Sequence, residues 1–398
     1  FLRQSPMKRA ITYFINLYSY LFSVLPIQPF LCDLMFWLRL FQMFILSAFL
    51  PNEKLYPRGT YSYNVAVFLS ILTRLFPINS DFDKQIIFGW IYLAFFIIYI
   101  CFLGACSYYF ARKSTLPSFV PSLLSFIFLI VEHLPHCWSM SLVGALASQE
   151  PNQITKEQIA AIVLLSLSFI IFSYLHQMLN IASIFFTPMS FKTVNPWPQS
   201  ALTYTTAIIC FLGEFSGHYR NKTVSIVLMA VCFFLYIFLF LIMEFQGHFL
   251  NSFQASFFGA VTIGCCTYTI LSIIFFVLNK AMPEYIIIIV IFVVFVSAIA
   301  ISHHRSHRFI KSIQLLDSLE ESKENYEIFQ RADQILPHIY VGFQVNHRYC
   351  LSYAVFRDSL NIFSNDTSLL FSFAKFLAIY PEEYDQLNWI YSVIKRQP

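Results

Sequence analysis

Charged side chains are scarce in this chain. Asp, Glu, Lys and Arg make up 12% of its 398 residues, about half of the roughly 25% that is usual for water-soluble domains. Hydrophobic residues reach 58%, and the mean hydropathy is +0.65. These proportions exclude an ordinary soluble domain and give no basic surface for nucleic acid. They predict an all-α, polytopic transmembrane helix bundle.

Glycine and recognisable catalytic motifs are scarce as well. The chain holds 10 Gly, whereas tightly packed transporter interfaces usually rely on small residues spaced four apart. Its nine cysteines form no CxxC spacing, so neither a zinc site nor a redox pair is indicated. No P-loop, GxSxG, HExxH or dinucleotide fingerprint occurs, and the paired Asp residues of a two-metal cyclase are missing. We therefore predict no catalytic residue, no metal ligand and no cofactor.

Long hydrophobic runs fill the first 302 residues. Seven are clear candidates for membrane-spanning helices: 86–110, 119–147, 159–186, 201–215, 224–243, 255–278 and 285–301. Three more are shorter or carry charge: 10–25, 30–50 and 61–76. Uncharged apolar runs of 18 or more residues are long enough to cross a bilayer as a helix. We predict about ten spans in a domain over residues 1–302. Eight is the alternative if the first two runs form an interfacial hairpin.

The last of these runs is followed at once by a dense basic cap. Arg305, Arg308 and Lys311 come directly after Ile301, and such residues hold their end of a span on the cytoplasmic side. With ten spans, both termini are cytoplasmic, and Lys54 and Arg58 share the inner side. The inner segments then carry eight Lys or Arg residues before the tail, against five on the outer side. Nine spans would reverse this balance, so we favour ten.

One cluster of ionisable residues lies in the middle of a predicted span. Glu132, His133 and His136 occur within five positions, with Pro135 between the last two. Ionisable residues at this depth are usually functional, and the cluster could bind a metal or relay protons. Alternatively, its side chains satisfy backbone carbonyls that the proline leaves free. A transporter would use this site together with Arg39 and Arg74.

A second polar pattern repeats within the membrane region. Glu214 and His218 are four residues apart, and the same pairing returns as Glu244 and His248, with glycine before each histidine. One span separates the two pairs, so about 30 Å of helix places them at opposite membrane faces. A shared metal site is therefore excluded. We predict instead that each pair ends a helix, with glycine as a left-handed cap.

The last 96 residues are far more polar than the rest and carry 21 of the 46 charged side chains. A helical stalk is predicted over 303–336, ended by Pro337, and short amphipathic helices follow over 337–398. Helices that are too short to bury their own faces are typical of helical repeat arrays. The predicted repeat-packing residues are Phe356, Leu360, Leu370, Phe373, Ala374, Phe376 and Pro381.

The tail also carries a resemblance. The runs Tyr353–Leu360 and Leu370–Glu383 resemble the TPR-like region, of the TmcB/TmcC type, of large protist membrane proteins with a polytopic N-terminal part. Many members of that group carry an adenylate or guanylate cyclase domain at the C-terminal end. The resemblance implies a parent protein in cyclic-nucleotide signalling, of which this chain is a fragment.

Composition, order and resemblance together favour a membrane-anchoring and sensing module of a signalling protein, with its tail coupled to a downstream domain. The expected location is the plasma membrane. The expected partners are membrane lipid, proteins that bind the helical repeats, and a second copy of the chain in a homodimer. The alternative is a multi-span transporter or channel with a polar pathway through Glu132, His133 and His136.

Overall fold

The computed structural model describes most of the chain. The described residues are 6–24, 29–49, 52–74, 82–127, 134–149, 154–186, 197–219, 221–245, 252–363 and 366–379. Over these residues the chain is helical with short connections. The predicted all-α class is therefore confirmed for the described part of the chain.

The helices α1 to α11 form the bundle, in the order of the predicted hydrophobic runs. Their bounds are α1 (Pro6–Val24), α2 (Pro29–Leu46), α3 (Tyr61–Arg74), α4 (Phe82–Lys113), α5 (Phe119–Phe126), α6 (Leu134–Ala147), α7 (Lys156–Phe186), α8 (Trp197–His218), α9 (Lys222–Phe245), α10 (Ser252–Val277) and α11 (Ile286–Glu321). Within the run predicted as one span over 119–147, the described residues form α5 and α6, and residues 128–133 between them lie outside the description. Among the described residues, α4, α7, α9, α10 and α11 are long and apolar enough to cross a membrane. The described part of the chain is thus a helical bundle with five helices suited to cross a membrane.

The long helices have a packed face and an exposed apolar face. On α11, Val290 and Val294 are buried, whereas Ile288, Phe292 and Ile299 are about two-thirds exposed. The exposed residues recur at three-to-four-residue spacing and therefore line one side of the helix. Such a stripe is unstable in water and suits contact with lipid acyl chains.

The bundle has two ends, which we name by their relation to the tail. The tail end is the one at which α11 leaves the bundle, and the far end lies opposite. At the far end, Lys222 Nζ donates hydrogen bonds to the Val277 carbonyl at 3.0 Å and to Asn279 Oδ1 at 3.1 Å. The ring of Phe82 lies 6.1 Å from that of His218. The start of α4, the end of α8, the start of α9 and the end of α10 therefore lie together.

The connection between α2 and α3 lies at the far end too. The backbone N–H of Met282 donates to the Leu55 carbonyl at 2.9 Å, and Lys54 Nζ lies 5.0 Å from the ring centroid of Phe276. The ten-span prediction placed Lys54 and Arg58 on the same side as the tail. That placement is wrong, because these contacts join their loop to the connection between α10 and α11.

Helix α3 explains the disagreement. It has 14 residues, about 21 Å at 1.5 Å per residue, against a hydrocarbon core of roughly 30 Å. Its last residue, Arg74, pairs with Glu214 one turn before the far end of α8, and α4 then begins at the far end. The run predicted as a third span thus starts and finishes in the same half of the bundle.

Helix α11 continues from the bundle into the tail without a break. Its 36 residues span about 54 Å. The helix predicted to reach residue 336 ends earlier, at Glu321, and the chain turns back through a 3₁₀ helix, Lys323–Ile328. Tyr326 in this turn is fully buried. Most of the residues over 320–325 are exposed, and the predicted helical stalk joins the packed tail through Tyr326.

The tail helices are α12 (Ala332–Gln344), α13 (Arg348–Leu351), α14 (Ala354–Ile362) and α15 (Thr367–Ile379). Pro337 lies inside α12 and does not end a helix, contrary to the prediction. A proline there removes the single backbone hydrogen bond to residue 333. The face that carries Ile335, Ile339 and Phe343 is buried, and this burial offsets the lost bond.

One hydrophobic core runs across the predicted boundary between stalk and repeat segment. Leu316 and Leu319 of α11 share a cluster with Ile335 of α12, Phe356 of α14 and Phe373 of α15. Within the described residues, the division at 336/337 therefore corresponds to no break in packing. The tail is built directly onto the end of α11.

Two of the few glycines lie where helices meet. A Cβ atom at Gly264 of α10 would overlap the Val294 side chain of α11. At Gly144 of α6 it would overlap the Phe211 carbonyl of α8. Only glycine allows such close approach of helix backbones. The low glycine content is thus compatible with a tightly packed bundle, which weakens the sequence argument against a transporter.

Candidate functional site

The structure describes only one of the three residues of the intramembrane site predicted from sequence. Glu132 and His133 fall outside the described residues. His136 of α6 is 1% exposed, and its ring centroid lies 5.3 Å from that of His176 on α7. His136 therefore faces the bundle interior, next to a histidine that the sequence analysis did not select.

Four helices bring polar side chains to this point. Arg39 of α2 is buried and donates from Nη2 to Thr203 Oγ1 of α8 at 2.6 Å. The same hydroxyl lies 3.2 Å from His176 Nε2. The Thr203 hydroxyl therefore joins Arg39 to His176. We call Arg39, His136, His176 and Thr203 the histidine–arginine cluster.

A buried ion pair lies nearer the far end. Arg74 Nη1 of α3 donates to Glu214 Oε1 of α8, with only 1% and 2% of the two side chains exposed. His218 Nε2 lies 3.4 Å from the other carboxylate oxygen. An arginine and a carboxylate at this depth are stable only as partners. Arg74 thus fixes the end of α3 against α8.

Helix α8 joins the two groups through one polar face. Thr203, Thr206, Cys210, Glu214 and His218 follow one another at intervals of three or four residues, which places them on one side of the helix. Cys210 on this face is fully buried. The face extends about 22 Å along the helix axis. This spacing is visible in the sequence and is the signal that would have selected Thr203, whereas His176 lies on α7 and carries no such signal.

The cap interpretation is not what the structure shows for the first Glu–His pair, whereas Gly247 and His248 of the second pair lie outside the described residues. Gly217 lies within α8 and is not in the left-handed region. Glu214 binds Arg74 instead, whereas Glu244 at the end of α9 binds Arg305 at 2.7 Å and Arg308 at 3.3 Å. Glu214 of α8 lies near the start of α9, and Glu244 lies at the end of α9. Each glutamate forms an ion pair with arginine. This separation agrees with the predicted exclusion of a shared metal site.

The predicted basic cap is therefore partly neutralised. Arg305 is largely buried against Glu244, Arg308 is about half exposed, and Lys311 is exposed one turn further on. These contacts fasten α9 to α11 at the tail end.

A possible metal site in the tail has a simpler explanation. Asp317, Glu320 and His347 offer ligand atoms within 4.8 Å of one another. However, His347 Nδ1 accepts from the Tyr349 N–H at 3.3 Å, and its Nε2 lies 2.9 Å from Asp317 Oδ1. Both ring nitrogens are engaged in capping α13 and tying it to α11. We assign the group a structural role.

The predicted repeat-packing residues lie mainly in the tail core. The rings of Phe343 and Phe376 stack at 3.9 Å between centroids, and those of Phe356 and Phe373 stack at 4.8 Å. Leu360 and Ala374 pack against the core, and Leu370 is buried. Pro381 lies outside the described residues. These contacts pair α15 with α12 and with α14.

The geometry offers two functional elements. One is the polar face of α8 with the histidine–arginine cluster, which could bind a polar group or pass protons. The other is α11, which belongs to both the bundle and the tail. Comparison of the chain with protein-family models, with curated proteins and with solved structures finds no match.

Proposed function

We propose that the chain is a membrane transducer, in which the helix bundle responds to a stimulus and α11 passes the change to the helical tail. A single observation carries the proposal: α11 is one unbroken helix that belongs to both cores. Val290 and Val294 lie in the bundle core, and Leu316 and Leu319 lie in the tail core.

Two further contacts support transmission through this helix. Glu244 clamps α9 to α11 through Arg305 and Arg308, so displacement of α9 acts directly on the helix that leaves the membrane. In addition, α15 packs against α7. A tail held at two places responds to relative movement of the two attachments, whereas a tail on a flexible linker would not.

The rigid link is tested by distance measurement. We expect spin labels at Glu284, at the start of α11, and Gln334, on the tail surface, to give one narrow distance distribution. Inserting two glycines after Ser306 should broaden it, because glycine weakens a helix interior by about 1 kcal/mol per residue. The same insertion after Asn346, in a tail turn, should leave it narrow. A broad distribution in the unmodified protein would rule out transmission through α11.

The packing also supports a membrane arrangement with nine crossings. In this proposal α5 and α6 form one crossing, α3 returns to the far end, and α1 runs parallel to α4. The ring centroids of Tyr20, near the end of α1, and Phe110, near the end of α4, lie 4.6 Å apart, and Leu17 packs in the same cluster as Leu103. The segment before α1 and the tail then lie on opposite sides of the membrane, with the tail cytoplasmic.

For the tail we propose a TPR-like scaffold that binds a protein partner or a following domain. Its support is the pairing of short helices through stacked aromatic rings between α12, α14 and α15. Following the sequence resemblance, we propose a nucleotide cyclase as the effector, and the plasma membrane as the location.

A second candidate function is transport through the bundle interior. The observation that favours it is that Arg39 and His176 meet at Thr203, on the polar face of α8, with His136 beside His176. Chains of histidine and hydroxyl groups can relay protons across a membrane. In this function the buried histidines carry the proton and Arg39 sets the local charge.

Proteoliposomes with an enclosed pH-sensitive dye test this candidate. A transporter should dissipate a pH gradient, and His176→Phe should reduce the flux at least tenfold because the relay loses a member. His304→Phe, which alters an exposed histidine of α11, serves as the matched control and should retain the flux. If the unmodified protein passes no more protons than protein-free vesicles, proton transport is excluded.

A further inference from the structure

A pocket of about 270 Å³ lies at the junction of bundle and tail. Its walls come from the end of α9, from α11 just beyond the membrane segment, and from α12. The polar side chains that line it are Glu244, Arg305, Arg308, Lys311, Ser312, His338, Tyr340 and Gln344. Three side chains that carry positive charge at neutral pH thus surround one carboxylate.

Arg305 is the central side chain of this pocket. It is nine-tenths buried, and its Nη2 donates to Glu244 Oε2 at 2.7 Å. Its Nε has no hydrogen-bond partner among the residues that the structure describes. A buried donor without an acceptor is unfavourable. Arg305 thus lines the pocket with a guanidinium that has one unsatisfied N–H.

The remaining lining is also suited to an anion. Arg308 is about half exposed and Lys311 is exposed, so both can turn toward a ligand. His338 Nδ1 lies 3.0 Å from Ser312 Oγ. Burial lowers the pKa of His338, and the positive charge of Arg308 lowers it further. An anion in the pocket would counter that positive charge and favour a second proton on the imidazole.

We propose that this pocket binds a phosphate monoester carried by a membrane lipid headgroup. Arginine guanidinium groups pair with phosphate through two parallel hydrogen bonds, and basic pockets between membrane helices hold phosphorylated headgroups. The position of the pocket, just beyond the end of the predicted span, favours a lipid as the source of the phosphate. Arg305 comes four residues after Ile301, the last residue of the predicted span, and Glu244 ends α9 at the same level.

Binding would alter the contact between α9 and α11. A phosphate group near Arg305 and Arg308 competes with Glu244 for the same donors, so the lipid would loosen the clamp while holding α11 itself. The proposal stands independently of the transducing function, because it concerns the occupant of the pocket only.

The test is a binding titration of the purified full chain in a neutral detergent. The probe is fluorescent dioctanoyl phosphatidylinositol 4,5-bisphosphate, followed by anisotropy. Lys311→Gln should weaken binding about fivefold, the effect expected of one basic residue at a membrane surface. Glu244→Gln should strengthen it, because the carboxylate that competes with phosphate is gone. Arg331→Gln, which alters an exposed ion pair with Asp333 in the tail, is the control and should bind as the unmodified chain does.

Competition identifies the source of the phosphate. Unlabelled dioctanoyl lipid should displace the probe at lower concentration than soluble inositol 1,4,5-trisphosphate. Equal competition by the two would overturn the lipid source and assign the pocket to a soluble phosphate. Absence of saturable binding, or weaker binding by Glu244→Gln, would overturn the pocket as an anion site. Arg305→Gln is left out of the comparison, because this substitution also breaks the contact between Arg305 and Glu244.

Discussion

Replacing Glu214 by Gln should destabilise the bundle by about 3–5 kcal/mol, the usual cost of leaving a buried charge without its partner. The substitution keeps the size of the side chain and removes only its charge. Arg74, which is 1% exposed, would then be a bare guanidinium in the membrane interior. Unfolding of the detergent-solubilised protein, followed by circular dichroism against denaturant, measures the effect.

Two variants show whether the effect comes from the ion pair. The double variant Arg74→Leu, Glu214→Leu should recover most of the lost stability, because apolar side chains often replace a buried ion pair without cost. Glu53→Gln breaks the exposed pair with Arg58, whose side chains are 66% and 50% exposed, and should cost less than about 1 kcal/mol. Equal stability of Glu214→Gln and the unmodified chain would mean that Arg74 does not depend on Glu214.

The hydrophobic runs predicted the helices well because a segment in lipid must satisfy its backbone hydrogen bonds internally, as a helix does. A run such as 224–243 has no charge to expose and must satisfy its backbone within the segment, and it forms α9. The tail was harder to predict. The sequence predicts a helix end at Pro337, whereas the buried face of α12 outweighs one missing hydrogen bond. Burial of this kind depends on partners far along the chain, such as Leu316 and Phe373.

The intramembrane site was predicted only in part, for a related reason. The compact group Glu132, His133 and His136 was conspicuous in the sequence, whereas Arg74 and Glu214 are 140 positions apart. Nothing in either segment alone identifies its partner. The regular spacing of Thr203, Cys210 and Glu214 on α8 was available, but each residue by itself is common in membrane helices.

The membrane side assigned to each segment shows how an error at one helix affects the rest of a topology prediction. Crossing helices alternate in direction, so counting the short α3 as a span reverses the side assigned to every segment before it. The charge balance of eight against five rested on that count. Once Lys54 and Arg58 move to the far end, positive charge no longer favours the predicted arrangement. The basic residues after Ile301 are then the remaining argument from charge for a cytoplasmic tail.

The connection between α2 and α3 should therefore lie on the opposite side of the membrane from the tail. We expect an engineered glycosylation acceptor in a lengthened loop after Arg58 to share the state of one in a lengthened loop after Gln149. With a cytoplasmic tail both are modified, and an acceptor placed after Asn346 is not. Matched sequences with Gln in place of the acceptor Asn control for mobility on gels.

The expected difference is all-or-none, because moving this loop across the bilayer would break its contacts with the connection between α10 and α11. Met282 would lose the hydrogen bond to Leu55, and Arg74 would be carried away from Glu214. In the ten-span arrangement the acceptor after Arg58 would instead share the state of the tail acceptor. That result would contradict the placement of α3 and would require its 14 residues to cross the bilayer.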